Sequence, residues 1–388
     1  MIAGGGTIMG LGLAKTQRPH EGKTAVDTAG GPVKHFDISI TKNIVQWMFT
    51  AFIRVRRYEP SGDRNRILQN HTLPNMFKKA LFTILTLLLL VPVSLQAKRN
   101  IETLIVTGQN NHNWQISHKA LDLILSNSGM FSVDIALSPA SGEDMSSFRP
   151  DFNKYDLVIL DYNGDAWPQE TKDAFLHFVQ HGGGLVIYHA ADNAFADWDE
   201  FNRIIALGGW GGRTKESGPY CYFEAGHLVL NDHLEGPSGN HGRQCAYPVY
   251  CQSEKHPIVK GLPDKWMHGR DELYDSMRGP ANIKELLYTG RADIMMGGSG
   301  REEPLVFTVD YGKSRIFHIM LGHAGDSLEK NPAMQCAGFQ TLLLRGCEWA
   351  AKGRVTQKVP KDFPTEYQSS YRLDYKQPKK LPDKQPKK

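Results

Sequence analysis

The chain has 388 residues, of which 40% are hydrophobic and 22% are charged. This balance is typical of a globular protein and excludes a wholly disordered or fibrous one. The formal net charge of +4 is unevenly spread: residues 1–97 carry 12 basic and 5 acidic side chains, 98–375 carry 27 and 35, and 376–388 carry 6 and 1. A mildly acidic body with basic ends argues against nucleic acid as a partner.

The first candidate element is a secretion signal at residues 76–97. Met76 is followed by Phe-Lys-Lys, then by an apolar stretch from Ala80 to Val93, then by Ser-Leu-Gln-Ala97. These are the positive, apolar and small-residue regions of a cleaved signal peptide. The apolar stretch is shorter than the roughly 20 residues that a membrane-spanning helix needs. We therefore predict export to the periplasm or the medium, without a stable membrane anchor.

The position of this signal has a consequence for the residues before it. A signal peptide acts from the N-terminus of a chain, whereas this one begins at residue 76. Residues 1–75 show no sustained period of two or 3.6 that would indicate a strand or a helix. We therefore expect translation to start at Met76, and residues 1–75 to be a disordered extension that is mis-assigned to the chain.

The other end of the chain is rich in proline and lysine. The pentapeptide Lys-Gln-Pro-Lys-Lys occurs at 376–380 and again at 384–388. Such a repeat has no apolar side chains whose burial would offset the entropy of ordering it. We expect residues 356–388 to be a solvated tail, which leaves 98–355 as one domain, long enough for a single large core.

Apolar strands alternate with amphipathic helices along this body. Ser117 is the expected N-cap of the first helix. Residues 310–313 are expected to form the turn of a hairpin. The alternation predicts an α/β fold with an open, mostly parallel sheet and helices on both faces, a three-layer flavodoxin-like arrangement. The predicted strands are 104–107, 131–137, 157–160, 185–188, 305–309 and 315–320, and the predicted helices are 117–125, 170–181 and 339–351.

Three histidines follow predicted strands of this sheet. His112 lies in the loop after the strand at 104–107, His189 directly follows the strand at 185–188, and His323 comes just after residue 320. Ligands of open α/β sheets bind beyond the carboxyl ends of the strands, and imidazole is a common metal ligand. We therefore predict that the three histidines share one site, where they could hold a divalent metal ion.

The five cysteines give no sign of a metal or redox motif. None of them shows a CxxC spacing, and an odd number leaves at least one thiol free. In an oxidising compartment we expect any disulfide to form within the group Cys221, Cys245 and Cys251.

Six segments of the body resemble the ThuA-like trehalose-utilisation family, a branch of the class I glutamine amidotransferase-like fold. Each segment is weak alone, but all six occur in the family's order and together extend over residues 101–352. They are GGGLVIYHAAD at 182–192, HPIVKGL at 256–262, DELY at 271–274, YGKSRIF at 311–317, LGH at 321–323 and RGCEWA at 345–350.

The resemblance implies a comparison at His189. In amidotransferases of this fold, the residue after the corresponding strand is the nucleophilic cysteine, whereas this chain has His189 there. Acyl transfer through a thiolate needs a positioned cysteine beside a histidine, so the resemblance does not extend to glutaminase activity. The segment that ends at His323 resembles the strand that delivers the catalytic histidine of those enzymes. This analogy places His189 and His323 across one pocket.

Asp271 and Glu272 form the other candidate constellation. Either carboxylate could act as a general base, or could complete with the imidazoles the mixed ligand set that suits Zn²⁺, Mn²⁺ or Fe²⁺. The alternative is a helix N-terminus, with Asp271 as the cap and Glu272 favoured by the helix dipole. We take Asp271, Glu272 and His189 as the candidate catalytic residues.

Three further residues are candidates for contact with a substrate. Asp192 lies three positions after His189 and could orient its imidazole, as carboxylates commonly do. Trp114 and Trp210 could stack on the C–H faces of a sugar ring, although tryptophan side chains also commonly belong to the core.

The hypothesis that follows is an exported protein of carbohydrate metabolism that acts on glycosides or keto-sugars of the trehalose type, as a lyase, hydrolase or isomerase. A 3-keto sugar has an acidified C2 proton, which a base removes readily when a cation or an imidazole polarises the carbonyl. The alternative is a non-catalytic carbohydrate-binding protein on an amidotransferase-like fold without its nucleophile. In both cases the expected partner is a small-molecule carbohydrate, and the oligomeric state stays open.

Overall fold

The computed structural model describes residues 99–378. The strands are β1 (Ile101–Thr107), β2 (Phe131–Leu137), β3 (Leu157–Leu160), β4 (Gly184–Tyr188), β5 (Tyr220–Glu224), β6 (His227–Asn231), β7 (Asn240–His241), β8 (Pro248–Cys251), β9 (Lys265–Met267), β10 (Tyr274–Asp275), β11 (Glu285–Arg291), β12 (Glu302–Tyr311) and β13 (Ser314–Ile319). The helices are α1 (Trp114–Asn127), α2 (Gln169–Gln180), α3 (Asp199–Ile205), α4 (Pro332–Gln335) and α5 (Ala337–Lys352).

One large sheet organises these strands in the order β2-β1-β3-β4-β13-β12-β11-β8-β9. The first five strands of this order are parallel to one another. After the hairpin between β12 and β13 the pairing is antiparallel, and the β5–β6 hairpin joins at β12. The prediction of an α/β fold with a large parallel sheet is confirmed, and the antiparallel extension beyond the hairpin is an addition to it.

Helices cover both faces of the sheet, as predicted. Along β1, Ile101 and Ile105 belong to one core cluster, which includes residues of α1 and α5. Leu104 and Val106 belong to a second cluster with residues of α2 and α3. This alternation follows from the two-residue period of a strand, which turns successive side chains to opposite faces.

Helix α1 begins earlier than predicted. Its N-cap is Asn113, so Ser117 lies inside the first turns and does not cap the helix. The Ser117 side chain is buried, and its hydroxyl donates a hydrogen bond to Asp161 Oδ2 at 2.6 Å. Asp161 directly follows β3 and is distant in sequence, so spacing within the helix could not reveal that partner.

The chain after α5 also differs from the expectation of a solvated tail from residue 356. Phe363 packs against the core and Tyr375 is buried. The Arg372 guanidinium forms an ion pair with Asp362 at 2.7 Å. The aromatic side chains explain the difference, because they give this Pro/Lys-rich segment apolar surface to bury. The second copy of the repeat, at 384–388, lies outside the described residues.

Truncation tests this packing. A chain that ends at residue 355 loses the buried Tyr375 and the contact of Phe363, whereas a chain that ends at 378 keeps both. Burying one aromatic side chain contributes roughly 1.5–3 kcal/mol, so we expect the shorter chain to lose at least about 3 kcal/mol of unfolding free energy. Urea denaturation of both chains measures this loss. Equal midpoints for the two would contradict the packed segment.

The predictions for residues 1–97 lie outside the described residues. Within residues 99–378, no helix is both long and apolar enough to cross a bilayer.

All five cysteines lie within the described residues, and each has a free thiol. The expected disulfide within Cys221, Cys245 and Cys251 is therefore not present. Cys221 belongs to the core cluster on one face of the sheet, whereas Cys245 and Cys251 pack against the cluster on the other face. The sheet thus separates Cys221 from the other two thiols.

Candidate functional site

The carboxyl edge of the parallel strands brings three histidines together. His112 lies in the loop after β1, His189 directly follows β4, and His323 comes shortly after β13. The ring centroid of His112 is 4.8 Å from that of His189 and 4.8 Å from that of His323. The centroids of His189 and His323 are 5.6 Å apart. The structure therefore places the three candidate ligands in one cluster, as parallel strands with a common carboxyl edge allow.

Glu272 lies at the centre of this cluster. Its Oε2 atom is 3.3 Å from His112 Nε2, 3.7 Å from His189 Nε2 and 3.1 Å from His323 Nδ1. One ligand atom from each of the four side chains lies within 4.8 Å of all the others. The segment that carries Glu272 precedes β10, which pairs with β7 in a separate two-stranded ribbon. We call these four residues the His₃Glu cluster.

The orientation of His189 is set by its outer nitrogen. Its Nδ1 atom lies 2.6 Å from the carbonyl oxygen of Met320, which can only accept, so Nδ1 carries a proton and Nε2 is the nitrogen that faces Glu272. His323 Nδ1 is buried and, within the described residues, has no hydrogen-bond partner of acceptable angle. For His189, one ring nitrogen facing the cluster while the other is fixed by a carbonyl is an arrangement typical of histidines that ligate a metal.

The charges of the cluster favour an anionic Glu272 carboxylate and a neutral His112 imidazole. Burial opposes the charge on Glu272, but the three facing imidazoles outweigh it and hold its pKa far below the usual range. Burial lowers the pKa of His112 to about 4, against the hydrogen bond with Glu272. Burial also acts to lower the pKa of His189, but the contact with Glu272 outweighs it and raises that pKa. His112 is therefore neutral at pH 7, as a metal ligand must be.

A cavity of about 430 Å³ opens above the cluster. His112, Glu272 and His323 form part of its wall. The remaining lining is mostly polar and includes four side chains that can hydrogen-bond, Asn111, Asn113, Asn193 and Asp326, together with the aromatic Trp210 and Tyr274.

Of the three residues predicted to contact a substrate, one lines this cavity and two do not. Trp210 lines it, whereas Trp114 is not among the lining residues and places its ring 5.7 Å from that of His118. Asp192 does not line this cavity and does not contact His189; it is fully buried, with Oδ2 3.4 Å from His318 Nε2. The orienting acceptor for His189 is instead a backbone carbonyl, for which the sequence carries no signal.

The two adjacent carboxylates have different environments. Asp271 is buried, does not line the cavity, and accepts a hydrogen bond from His268 Nε2 at 2.7 Å. Glu272 alone faces the cavity. The alternative of a helix cap is also not realised, because this segment continues into strand β10. Of the two carboxylates, Glu272 is therefore the one that lies at the cavity, and Asp271 lies in the interior beside it.

Sequence reasoning missed two residues of the site. Tyr274 Oη lies 3.1 Å from His189 Nε2 and 3.4 Å from His112 Nε2, and burial raises its pKa well above the usual value. His241 Nε2 lies 3.8 Å from Glu272 Oε1, and its side chain is 40% exposed. Tyr274 belongs to the DELY segment noted above. His241 lies in a two-residue strand, which is too short to show a hydrophobic pattern that would predict it.

The fold and the cluster together define a class: an α/β protein with a histidine–carboxylate site at the carboxyl edge of its parallel strands. The ThuA family model, described as trehalose utilisation, matches residues 102–350. The chain therefore belongs to the ThuA family, as the resemblance indicated.

Comparison with a solved structure that is 64% identical agrees with this assignment. The crystal structure of a ThuA-like protein from Parabacteroides merdae is 64% identical, with a TM-score of 0.71, and the match covers 72% of this chain and 100% of that one. A ThuA-like protein from Bacteroides uniformis is 20% identical, with a TM-score of 0.44, over 68% of this chain and 96% of that one. A search of the curated proteins gives no match.

Proposed function

We propose that the His₃Glu cluster holds a divalent metal ion and that the protein acts there on a carbohydrate, a glycoside or a keto-sugar. The observation that carries this proposal is the convergence of four ligand atoms within 4.8 Å of one another. Three imidazole nitrogens and one carboxylate oxygen form a donor set that suits Zn²⁺, Mn²⁺ or Fe²⁺. His323 Nδ1 supports the fit, because it is buried and lies 3.1 Å from Glu272 Oε2 without a well-directed hydrogen bond, as expected of two ligands that face one ion.

The lining of the cavity supports a carbohydrate as the ligand. Side-chain amides and the carboxylate of Asp326 can both hydrogen-bond to sugar hydroxyl groups. Trp210 provides an aromatic surface against which the C–H face of a sugar ring can pack. A volume of about 430 Å³ is sufficient for a small ligand. The family's description, trehalose utilisation, agrees with this class of substrate.

The side chains around the cluster suit the movement of a proton. A bound divalent ion would polarise a carbonyl oxygen of the substrate. His241 Nδ1 lies 2.9 Å from the carbonyl oxygen of Gly242 and so carries the proton, which leaves Nε2 free to accept one from a sugar carbon. Tyr274 keeps its proton, because burial raises its pKa, and can donate a hydrogen bond inside the cavity. In this arrangement His241, rather than Asp271, is the base.

We also infer that the fold is related to that of the class I glutamine amidotransferases, with His189 in the place of the nucleophile. His189 directly follows β4 and has a positive φ of 45°, a strained backbone of the kind found at functional sites. Among the described residues, no cysteine lines the cavity above the His₃Glu cluster. A reaction through a thiolate therefore has no support at this position.

Export remains part of the proposal. The pattern at 76–97 supports a signal peptide, and N-terminal sequencing of the mature protein tests it. A mature chain that begins at Lys98 agrees with export, whereas one that begins well before residue 98 contradicts it.

Turnover of sugars is the test of the proposed activity. We expect the purified protein to convert at least one member of a panel of keto- and ordinary disaccharides, as detected by mass spectrometry. His189→Ala and treatment with EDTA should each abolish this conversion, because both remove the cluster's metal. The matched control is His227→Ala, which replaces an exposed histidine of β6 outside the site and should leave turnover unchanged.

The other outcomes separate the alternatives. Turnover that survives both His189→Ala and EDTA would contradict the metal-assisted reaction. Binding of sugars without turnover of any substrate in the panel would instead support the non-catalytic carbohydrate-binding protein. Binding is measured by isothermal titration calorimetry on the same protein.

A further inference from the structure

The buried carboxylate of Asp271 has an unusually complete set of hydrogen bonds. Its Oδ1 atom accepts from the backbone N–H of Glu272 at 2.8 Å and from that of His323 at 3.0 Å. Its Oδ2 atom accepts from the backbone N–H of Gly322 at 2.7 Å and from His268 Nε2 at 2.7 Å. Two of these four donors belong to residues of the His₃Glu cluster.

We infer that Asp271 is a positioning residue, which joins the segment of Glu272 to the segment of His323 so that their ligand atoms point at one site. The inference rests on the proposed metal site. Glu272 and His323 come from segments that are distant in the sequence, and no backbone pairing of the main sheet joins them. Among the side chains of the described residues, Asp271 is the one that accepts hydrogen bonds from both segments at a single carboxylate oxygen.

The segment of His323 needs such an anchor. The chain leaves β13 at Ile319 and turns at Gly322, whose φ of +107° is in the region that favours glycine. The His323 side chain is 21% exposed, and its Nδ1 atom has no hydrogen-bond partner of acceptable angle. Besides the 3.1 Å contact of Nδ1 with Glu272, the ring depends on its backbone for its direction, and that backbone is held by Asp271 through the N–H groups of Gly322 and His323.

The four hydrogen bonds require an ionised carboxylate at position 271, and a side chain of the same shape is not sufficient. Each carboxylate oxygen accepts two hydrogen bonds, so four donors are satisfied by one side chain. Asparagine has the same shape but offers a single accepting oxygen, and its NH₂ group would face two donors. In Asp271→Asn, the NH₂ group replaces one oxygen, and the two buried donors at that oxygen lose their acceptor. Each of the two donor pairs includes a backbone N–H of the His323 segment, that of His323 at Oδ1 or that of Gly322 at Oδ2.

Metal affinity is the first measurement. We expect Asp271→Asn to weaken the binding of Zn²⁺ by about 10- to 100-fold, the range for loss of a group that orients metal ligands. Competition with a chromophoric chelator measures this affinity, and the visible spectrum of the Co²⁺-loaded protein should change in band position. Glu348→Gln is the matched control, because Glu348 is a fully buried carboxylate that accepts from Thr356 N–H at 2.9 Å in the α5 region. That control should lose stability without losing zinc.

Hydrogen–deuterium exchange gives a second measurement that needs no metal. In the metal-free protein we expect Asp271→Asn to accelerate exchange at the backbone amides of 321–325 by at least about 10-fold, because the N–H group of either Gly322 or His323 loses its acceptor. Glu348→Gln should leave exchange in that segment unchanged. If wild-type protein binds no zinc, the proposed metal site fails, and the exchange result alone decides the role of Asp271.

A second pair of variants covers the case in which Asp271→Asn does not fold. His268→Gln keeps an N–H donor for Asp271 and should hold zinc within about 3-fold of wild type, whereas His268→Phe removes the donor and should lose at least about 10-fold. Unchanged zinc affinity and unchanged exchange in Asp271→Asn, or equal affinities in the two His268 variants, would overturn the positioning role.

Discussion

Replacing Glu272 by glutamine is expected to weaken Zn²⁺ binding by at least about 100-fold, since loss of a ligand should cost no less than loss of a group that orients one. Glutamine keeps the length of the side chain but removes the negative charge at the centre of three imidazoles. The carboxylate is the only anionic ligand of the cluster among the described residues. Competition with a chelator measures the affinity, and metal analysis gives the zinc content per chain.

A second buried glutamate provides the control. Glu303 lies on β12 and is 1% exposed, with its carboxylate 3.3 Å from Arg301 Nε. Glu303→Gln changes the same chemical group at a distance from the cluster, and we expect it to retain wild-type zinc affinity. If Glu272→Gln binds zinc within about threefold of wild type while Glu303→Gln does too, Glu272 is not a ligand.

The sequence is sufficient to locate the parallel half of the sheet. The strands at 157–160 and 185–188 consist of unbroken apolar residues, which is the pattern of strands covered on both faces. Their observed bounds, β3 at Leu157–Leu160 and β4 at Gly184–Tyr188, agree with the pattern to within one residue. Because parallel strands share one carboxyl edge, the location of the histidines follows from the strand positions alone.

The antiparallel half has no comparable pattern. Strands β7 and β10 have two residues each, and β9 has three. Segments this short cannot display a period, and their positions depend on partners that are distant in the chain. His241 and Tyr274 lie on the β7–β10 ribbon, which is why one was missed entirely and the other was noted only as part of a family motif.

The roles of the acidic residues depend on contacts that spacing does not specify. Asp271 and Glu272 are neighbours, and an extended backbone turns neighbouring side chains in opposite directions. One therefore faces the cavity and the other the interior, but the sequence does not say which. Asp192 illustrates the same limit, because proximity to His189 in sequence suggested an orienting role, whereas its side chain faces His318 on β13.

The buried side chain of Asp161 makes the free energy of unfolding depend on pH. It is buried at the end of β3, and its carboxylate accepts hydrogen bonds from Ser117, Thr107 and Asn110. Burial nevertheless outweighs these hydrogen bonds and raises its pKa from 3.8 to about 7. The folded protein therefore holds a proton between about pH 4 and pH 7 that the unfolded chain has released. In that range the free energy of unfolding falls as the pH rises.

Asp161→Asn should remove this part of the pH dependence. Between pH 5 and pH 8, the raised pKa of Asp161 costs wild-type protein about 2–3 kcal/mol of unfolding free energy. The asparagine variant does not titrate, and its amide can donate to the hydroxyl groups of Ser117 and Thr107. Urea denaturation at the two pH values measures the change for each protein, with the exposed Asp173→Asn as the control that keeps the wild-type change. An unaltered pH dependence in Asp161→Asn would mean that Asp161 is already ionised in the folded protein at pH 5.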